Sequence, residues 1–455
     1  MNRKHSLAPL AALAAATALS ACSTVGRIGD AVWPFDGDDA PAQSVPEDGR
    51  VSILAFEQQL TPDPELAART IVTPPPVNVV EWAQPGGTAD NSPPASTGSA
   101  VLQQAWRANL GEGSNNRVQI AAPPVISGGT LYFLDADHRV HAIDARDGSR
   151  IWTERLRPAE GRDRTARGGG VAAAGGRVFV TTGFGFIAAL DGGSGEEIWR
   201  TAAGAPFQSA PTVSGGRVFA TTNDSELIAF DAGTGEVSWT NQAIAEPARI
   251  LSASSVAIDG DTVVAPFASG ELIALLTANG RRLWSDSLSR AGRLTSLSAI
   301  NDIAGRPVVD NGVVYAASHS GVLAAIDLRS GQRIWSRSFA STQTPWVAGE
   351  VIYAVSVDGE LAAMDRASGN VYWVSQLRRY EDEDDRKGRV AWTGPIMLGG
   401  RLVLANSLGD VVAVSPENGQ IVANADVRQP VFIPPIAAYD QIYLVTDDAR
   451  LVVLR

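Results

Sequence analysis

The chain is poor in the residues that most redox, metal and nucleophilic chemistry requires: one Cys, four His and three Met in 455 residues. A single Cys excludes an internal disulfide and a Cys-x-x-Cys-His haem site, and leaves no thiolate cluster for zinc. Of the four His, only His138 and His141 are close in sequence, in one hairpin on either side of Val140. No Gly-x-Ser-x-Gly nucleophile elbow is present. Positive charge is also scarce. Lys and Arg total 37 against 49 Asp and Glu, and the net charge of −12 argues against nonspecific binding to nucleic acid or anionic lipid. Long apolar runs are missing too, because the stretch from Leu7 to Leu19 is too short to span a bilayer stably.

That short run has the proportions of a signal peptide. Arg3 and Lys4 precede it, and it ends in Leu19-Ser20-Ala21-Cys22, which resembles a bacterial lipobox. The resemblance implies that Cys22 is lipidated and becomes the first mature residue. It also implies that Ser23, rather than an Asp, sorts the protein to the outer membrane. Several acyl chains on one residue anchor firmly where one alone is marginal. Lipidation removes the only thiol, so stability must come from packing. The expected organisation is a signal peptide over residues 1–21 and a lipidated Cys with a disordered tether over 22–50. A partly ordered extension over 51–100 precedes a repeat domain over 101–455. In the extension, Pro64 starts a brief helix, Trp82 docks on the repeat domain, and Ser92 to Gly98 forms a flexible linker.

What is abundant is Gly, 45 residues of it, arranged in a repeat. Each unit has a Gly-rich turn, a β-branched run, Ala-x-Asp, a Gly, then Trp. The Trp recurs at 152, 199, 239, 284, 335 and 373, with gaps of 38 to 51 residues. A period near 45 residues built of short strands predicts a β-propeller with one blade per unit. Seven full units close at these six Trp residues and at Ala423. Trp106 belongs to a final strand detached from its blade, and the C-terminus carries three strands lacking the last. The prediction is therefore an all-β, eight-bladed propeller with four-stranded antiparallel blades, its ring closed by an N-terminal strand. Gly-Gly pairs and Asn311-Gly312 suit two-residue hairpins. The Asp is expected to accept turn N–H groups, and the Trp to wedge between blades. Leu276 replaces the Asp in unit four, and Ser415 and Ala423 depart in unit seven.

The run Ala-x-Asp-x-x-x-Gly-x-x-x-Trp, present from Ala142 to Trp152 and in four further copies, resembles the tryptophan-docking repeat of pyrroloquinoline-quinone propellers. With the lipobox, and with Arg306 to Ala316 and Leu323 to Trp335, the whole chain resembles the BamB family. Its members are propeller lipoproteins of the outer-membrane β-barrel assembly machinery. The resemblance implies a noncatalytic scaffold that docks on the periplasmic POTRA domains of BamA. It further implies contact with other assembly subunits and with unfolded outer-membrane proteins, and requires no cofactor. The family's Leu-x-Leu-Arg motif falls at Arg249-Ile250-Leu251-Ser252, where Leu251 matches. Its Asp-x-Asp motif falls at Asp302-Ile303-Ala304, where Asp302 matches. Ile250, Leu251 and Asp302 are thus the candidate partner-binding residues. The competing reading is a periplasmic quinoprotein-like oxidoreductase or ligand-binding propeller that uses the central channel.

Two charged loops interrupt the repeat, Arg155 to Arg167 and Arg378 to Arg389. In the second, five acids and five bases cancel, which predicts a self-paired exposed insertion.

Overall fold

The computed structural model describes residues 60–158, 165–246, 250, 254–289 and 300–455. Among these residues, thirty-four strands, β1 to β34 in chain order, make eight four-stranded antiparallel sheets and one two-stranded hairpin. Seven blades are consecutive: β2–β5 (125–155), β6–β9 (169–202), β10–β13 (212–242), β14–β17 (257–287), β18–β21 (308–338), β22–β25 (346–376) and β28–β31 (392–426). The eighth joins β32–β34 (436–454) to β1 (Gln104–Asn109). The hairpin is β26 (Tyr380–Asp382) with β27 (Lys387–Arg389).

Within a blade the two inner hairpin strands are joined by turns such as Gly128-Gly129, with φ of 58° and 80°, and Asn311-Gly312, with φ of 48° and 75°. Positive φ at both central residues matches the twist of the flanking strands, and Gly and Asn tolerate it. The middle strands are buried on both sides, as in β8 (Phe186–Asp191), whereas outer strands alternate over much of their length, as in β13 (Val237–Gln242). The core lies between blades. One cluster joins Val125, Tyr132 and Val140 of the first blade to Val171, Val178 and Phe186 of the second.

The repeat follows directly from that packing. Ala142, Ala189, Ala229, Ala274, Ala325 and Ala363 are fully buried, and each stands opposite the Trp of its own blade. A bulge follows each pair and twists the outer strand locally. The Trp then reaches across to the next blade. Trp152 Nε1 donates to Gly192 O at 2.9 Å, Trp284 Nε1 to Leu328 O at 2.7 Å, and Trp373 Nε1 to Pro416 O at 3.0 Å. The repeat Gly of that next blade lies under the ring. A Cβ at Gly195 would sit 2.6 Å from Trp152, and one at Gly331 2.5 Å from Trp284. The Asp accepts turn N–H groups as expected, Asp191 from Gly193 and Ser194 at 3.0 and 2.8 Å. Those bonds, with Ser194 N–H foremost, hold the Asp191 carboxyl below the ordinary carboxylate range. Leu276 loses only this side-chain cap, since Gly280 N–H still donates to Leu276 O at 2.9 Å.

Closure of the ring explains the irregular seventh unit. The wedge formed by each Trp needs the turn between the third and fourth strands of the following blade. The eighth blade has no such turn, because its fourth strand is β1, paired with β34 (Arg450–Leu454) through Trp106↔Val453 and Ala108↔Leu451. Ala423 therefore has no turn to wedge against. Trp106 does have Gly148 of the first blade beneath it. It stands opposite Val453 instead of Ala, its ring meets Tyr443 edge-on at 77°, and its Nε1 lacks a partner among the described residues. Ala145 O takes the Tyr443 hydroxyl at 2.8 Å.

The N-terminal extension packs on the ring. The helix α1 (Pro64–Ala67) is capped by Asp63, which accepts from Glu65 and Leu66 N–H. Asp63 N–H donates to Val371 O at 2.8 Å, which fixes the helix against the sixth blade. Residues 77–98 then run across the inner hairpins at one mouth of the channel. Trp82 exchanges backbone bonds with Ile126 at 2.8 Å, while Ala83, Ala89 and Asp90 carbonyls accept from Ala173, Ile258 and Val309. Trp82 is 3% exposed, so it docks as expected. The stretch from Ser92 to Gly98 departs from the linker reading. Ser96 is fully buried and bridges Val77 and Leu398, because the inner hairpins supply the backbone partners that this Pro- and Ser-rich segment lacks by itself. No helix among the described residues is long and apolar enough to cross a membrane.

Candidate functional site

The extension covers the hairpin face, and the opposite face carries the second-to-third-strand turns and the loops between blades. Ile250 and Asp302 lie on that open face, in the loops entering the fourth and fifth blades. The structure brings them together: Ile250 N–H donates to Asp302 Oδ2 at 2.7 Å, and Ile250 O accepts from Gln208 Nε2 at 2.8 Å. A second link, Ser254 Oγ to Gly305 O at 3.1 Å, ties the same two loops. Asp302 is 4% exposed, so its carboxylate serves as a clamp that sets the Ile250 loop. Leu251 and Cys22 lie outside the described residues.

The charged insertion stands on the same face, and its pairing corrects the self-paired reading. Arg379 and Arg389 reach Asp358 of the sixth blade at 2.9 and 3.2 Å, and Arg378 reaches Asp410 of the seventh at 3.6 Å. Only Lys387–Asp385, at 3.2 Å, pairs within the insertion. Arg378 and Arg379 precede the first hairpin strand and Arg389 ends the second, so these bases stand at the root of the hairpin, within reach of the flanking blades. In the other charged loop, Arg155 pairs with Asp137 at 2.7 Å, and Arg167 donates to Asn116 O at 2.7 Å.

A buried polar cluster in the first blade has the outline of a catalytic triad. Asp135 lies 3.0 Å from His141 Nε2, and His141 Nδ1 lies 3.3 Å from Thr153 Oγ1. Comparison among blades gives it a structural role. Asp135 accepts Arg139 N–H at 2.8 Å, and the same four-residue cap recurs at Ser356 to Glu360, Asn406 to Asp410 and Thr446 to Arg450. Burial alone would raise the Asp135 carboxyl. The His141 bond and the N–H groups of Arg139 and Glu112 outweigh it and hold the group low. Among the described residues no group of three His, Cys, Asp or Glu is placed to hold a metal ion.

His138 supplies a pH-dependent stability term. It is 3% exposed, and its Nε2 accepts Gly183 N–H at 3.2 Å. Desolvation lowers its pKa to about 4, against the opposing charges of Asp135 and Asp137. A base depressed on folding binds fewer protons folded than unfolded between about pH 4 and 6.5. The stability it confers is therefore complete above 6.5 and lost as pH falls through that window. Unfolding free energy should drop by about 2 kcal/mol between pH 7 and pH 5 from this group. Urea melts of the His138→Asn variant, whose side chain tolerates the φ of 56° at this position, should lack that decrement. An unchanged pH slope would remove His138 from the account.

The axial channel contains two cavities. A funnel of about 280 Å³ opens on the loop face and is lined by Ile250, Gln343, Trp392 and Phe432 among others. A chamber of about 40 Å³ lies under the extension, between Trp82, Asn91, Trp346 and Pro395. Arg306 is common to both walls. The functional meaning of this side chain escaped the sequence reading, although a signal was present. At the equivalent position, five residues before the first residue of each inner hairpin turn (Gly128, Gly175, Gly215, Gly260, Asn311, Gly349, Gly399 and Tyr439), the other seven blades carry Pro, Gly, Ala, Ser or Thr.

Comparison with known proteins agrees with this architecture. The family model described as outer membrane protein assembly factor BamB matches residues 95–167 and 136–375. The BamB of Shigella dysenteriae is 32% identical over 351 residues, 76% of this chain and 87% of that protein. The crystal structure of BamB from Moraxella catarrhalis superposes with a TM-score of 0.62 at 23% identity, over 78% of this chain and 98% of that one. The quinohemoprotein alcohol dehydrogenase of Comamonas testosteroni also superposes at 0.62, with 16% identity over 88% and 83% of the two chains, a likeness of fold alone. With the repeat, the ring and a match across most of its length in agreement, this chain belongs to the BamB family of outer membrane protein assembly factors.

Proposed function

We propose that the protein is a noncatalytic scaffold of the outer-membrane β-barrel assembly machinery. Residues 1–21 direct export, Cys22 carries the lipid anchor, and residues 22–50 tether the propeller at the periplasmic face of the outer membrane. The loop face docks on the POTRA domains of BamA through Ile250 and Leu251, with Asp302 setting their position from within. The observation that carries this reading is the Ile250–Asp302 bond, which joins the two loops where family motifs fall. The ring also presents an edge to clients. Its outer strands end their sheets unpaired and expose Ile151, Ile198, Leu283 and Ile334 beside the wedged Trp residues. Such edges suit β-augmentation by an extended, unfolded outer-membrane protein.

Copurification from native membranes tests the partner: recovery of BamA supports the reading, and its repeated absence with the protein intact overturns it. The clamp has a sharper test. A hydrogen bond to a charged acceptor contributes about 1.5–3 kcal/mol, so Asp302→Ala should weaken POTRA binding by about tenfold or more. Asp302→Asn keeps an acceptor for Ile250 N–H and should restore most of the affinity. Full affinity in Asp302→Ala, measured by calorimetry, would separate these loops from docking.

A further inference from the structure

Arg306 is a cation that nothing among the described residues balances. It is 7% exposed, and among the described residues its Nε has no hydrogen-bond partner and no Asp or Glu lines either cavity that it borders. Its backbone N–H is engaged, donating to Thr344 Oγ1 at 3.1 Å, which fixes the residue without engaging Nε. Burial lowers its pKa to about 10, so it stays charged at neutral pH. An unpaired buried charge is among the most unfavourable features a folded chain can carry. Here it occupies a position where seven blades place a small residue or Pro, so blade packing does not call for it.

The surroundings point to what would balance it. Of nine buried side-chain atoms without a partner among the described residues, four belong to residues of the small chamber: Trp82 Nε1, Trp346 Nε1, Arg306 Nε and Asn91 Oδ1. Three are N–H donors. The fourth is held in place, because Asn91 Nδ2 donates to Pro307 O at 2.8 Å and Val256 O at 3.3 Å. The chamber has room for a few non-hydrogen atoms, and the funnel above it, with Ile120, Trp392 and Phe432 on its wall, suits an apolar continuation.

We propose that Arg306 and the two indole N–H groups bind a carboxylate at the floor of the axial channel, with the rest of its bearer lying in the funnel. A guanidinium and two unsatisfied indole N–H donors on residues of one chamber match a planar, two-oxygen anion. The carboxylate has two sources, a free small organic acid or an extended polypeptide that offers its terminus. The site does not depend on the docking reading, since Arg306 lies inside the channel.

Trp82, Trp346 and Trp392 border the two cavities and provide the signal. Tryptophan fluorescence of the full mature chain is titrated, at low salt, with succinate and with an apolar decapeptide bearing either a free C-terminal carboxylate or an amide. A saturable change is expected with a carboxylate ligand, with the amide peptide binding at least tenfold more weakly. Arg306→Gln should abolish the difference between the two peptides, and Arg306→Lys should retain part of it. Saturation by the peptide at lower concentration than succinate assigns the polypeptide source, and equal or tighter succinate binding assigns the small acid. No saturation with either, or equal binding by Arg306→Gln, overturns the proposal. Without ligand, Arg306→Gln should melt at or above the parent temperature, because a buried unpaired charge is removed. A markedly lower melting temperature with lost near-ultraviolet dichroism would make Arg306 a scaffold residue and overturn the site. BamA capture should be unchanged in Arg306→Gln, so failure here and failure of the docking reading are distinguishable.

Discussion

Replacing Trp284 with Ala should lower the free energy of unfolding by about 3–5 kcal/mol, the usual range for removing a large buried aromatic. Trp284 is 8% exposed and packs in a cluster that spans the fourth and fifth blades, with Leu272, Val314 and Ile326. Its loss leaves a void between blades and strands Leu328 O without the indole donor. Trp284→Phe keeps most of the apolar contact and loses the hydrogen bond, so it should cost about 1–2 kcal/mol. The partner side of the wedge should be as sensitive. Gly331 has φ of 73°, and a Cβ there would sit 2.5 Å from Trp284 Cγ, so Gly331→Ala combines backbone strain with a collision. Urea unfolding of the three variants checks the scheme. A cost below about 1 kcal/mol for Trp284→Ala would mean that the repeated Trp does not hold adjacent blades together.

Loss of the closing strand is the second large effect. Two truncations isolate it: a chain starting at residue 99 lacks the segment across the channel, and one starting at residue 111 also lacks β1. The second should melt about 10 °C or more below the first. It loses the ladder to β34, the wedge of Trp106, and the buried anchors Leu102 and Leu110, 4% and 0% exposed. Each buried Leu contributes about 1.5–3 kcal/mol, and a kilocalorie corresponds to about 2–4 °C in a domain of some 200 residues. An added peptide covering residues 99–112 should restore part of the loss, because it can pair with the exposed β34 edge. Equal melting temperatures for the two truncations would show that the ring does not need β1.

Blade number and closure were legible because they are written in local patterns. A Gly-rich turn, a β-branched run and a Trp are each properties of a few neighbouring residues, and counting the units through both termini required no contact map. The candidate site was only partly legible. Asp302 and Ile250 could be named from loop motifs, but their mutual bond spans 52 residues in sequence and no periodicity reports it. The same holds for the stretch from Ser92 to Gly98. Its composition is that of a linker, and it is ordered by carbonyl and N–H groups of blades far along the chain.

By itself, then, the amino-acid sequence determined the propeller, the count of eight blades and the N-terminal strand that completes the last. Each follows from side-chain period and turn chemistry within a unit. Only the tertiary structure decided why Ala423 can replace Trp, how the extension covers one mouth of the channel, and that Arg306 stands there without a counter-charge among the described residues. These depend on which distant units the closed ring makes neighbours. A charge or a wedge acquires its partner, or is left without one, only when the ring has closed around it.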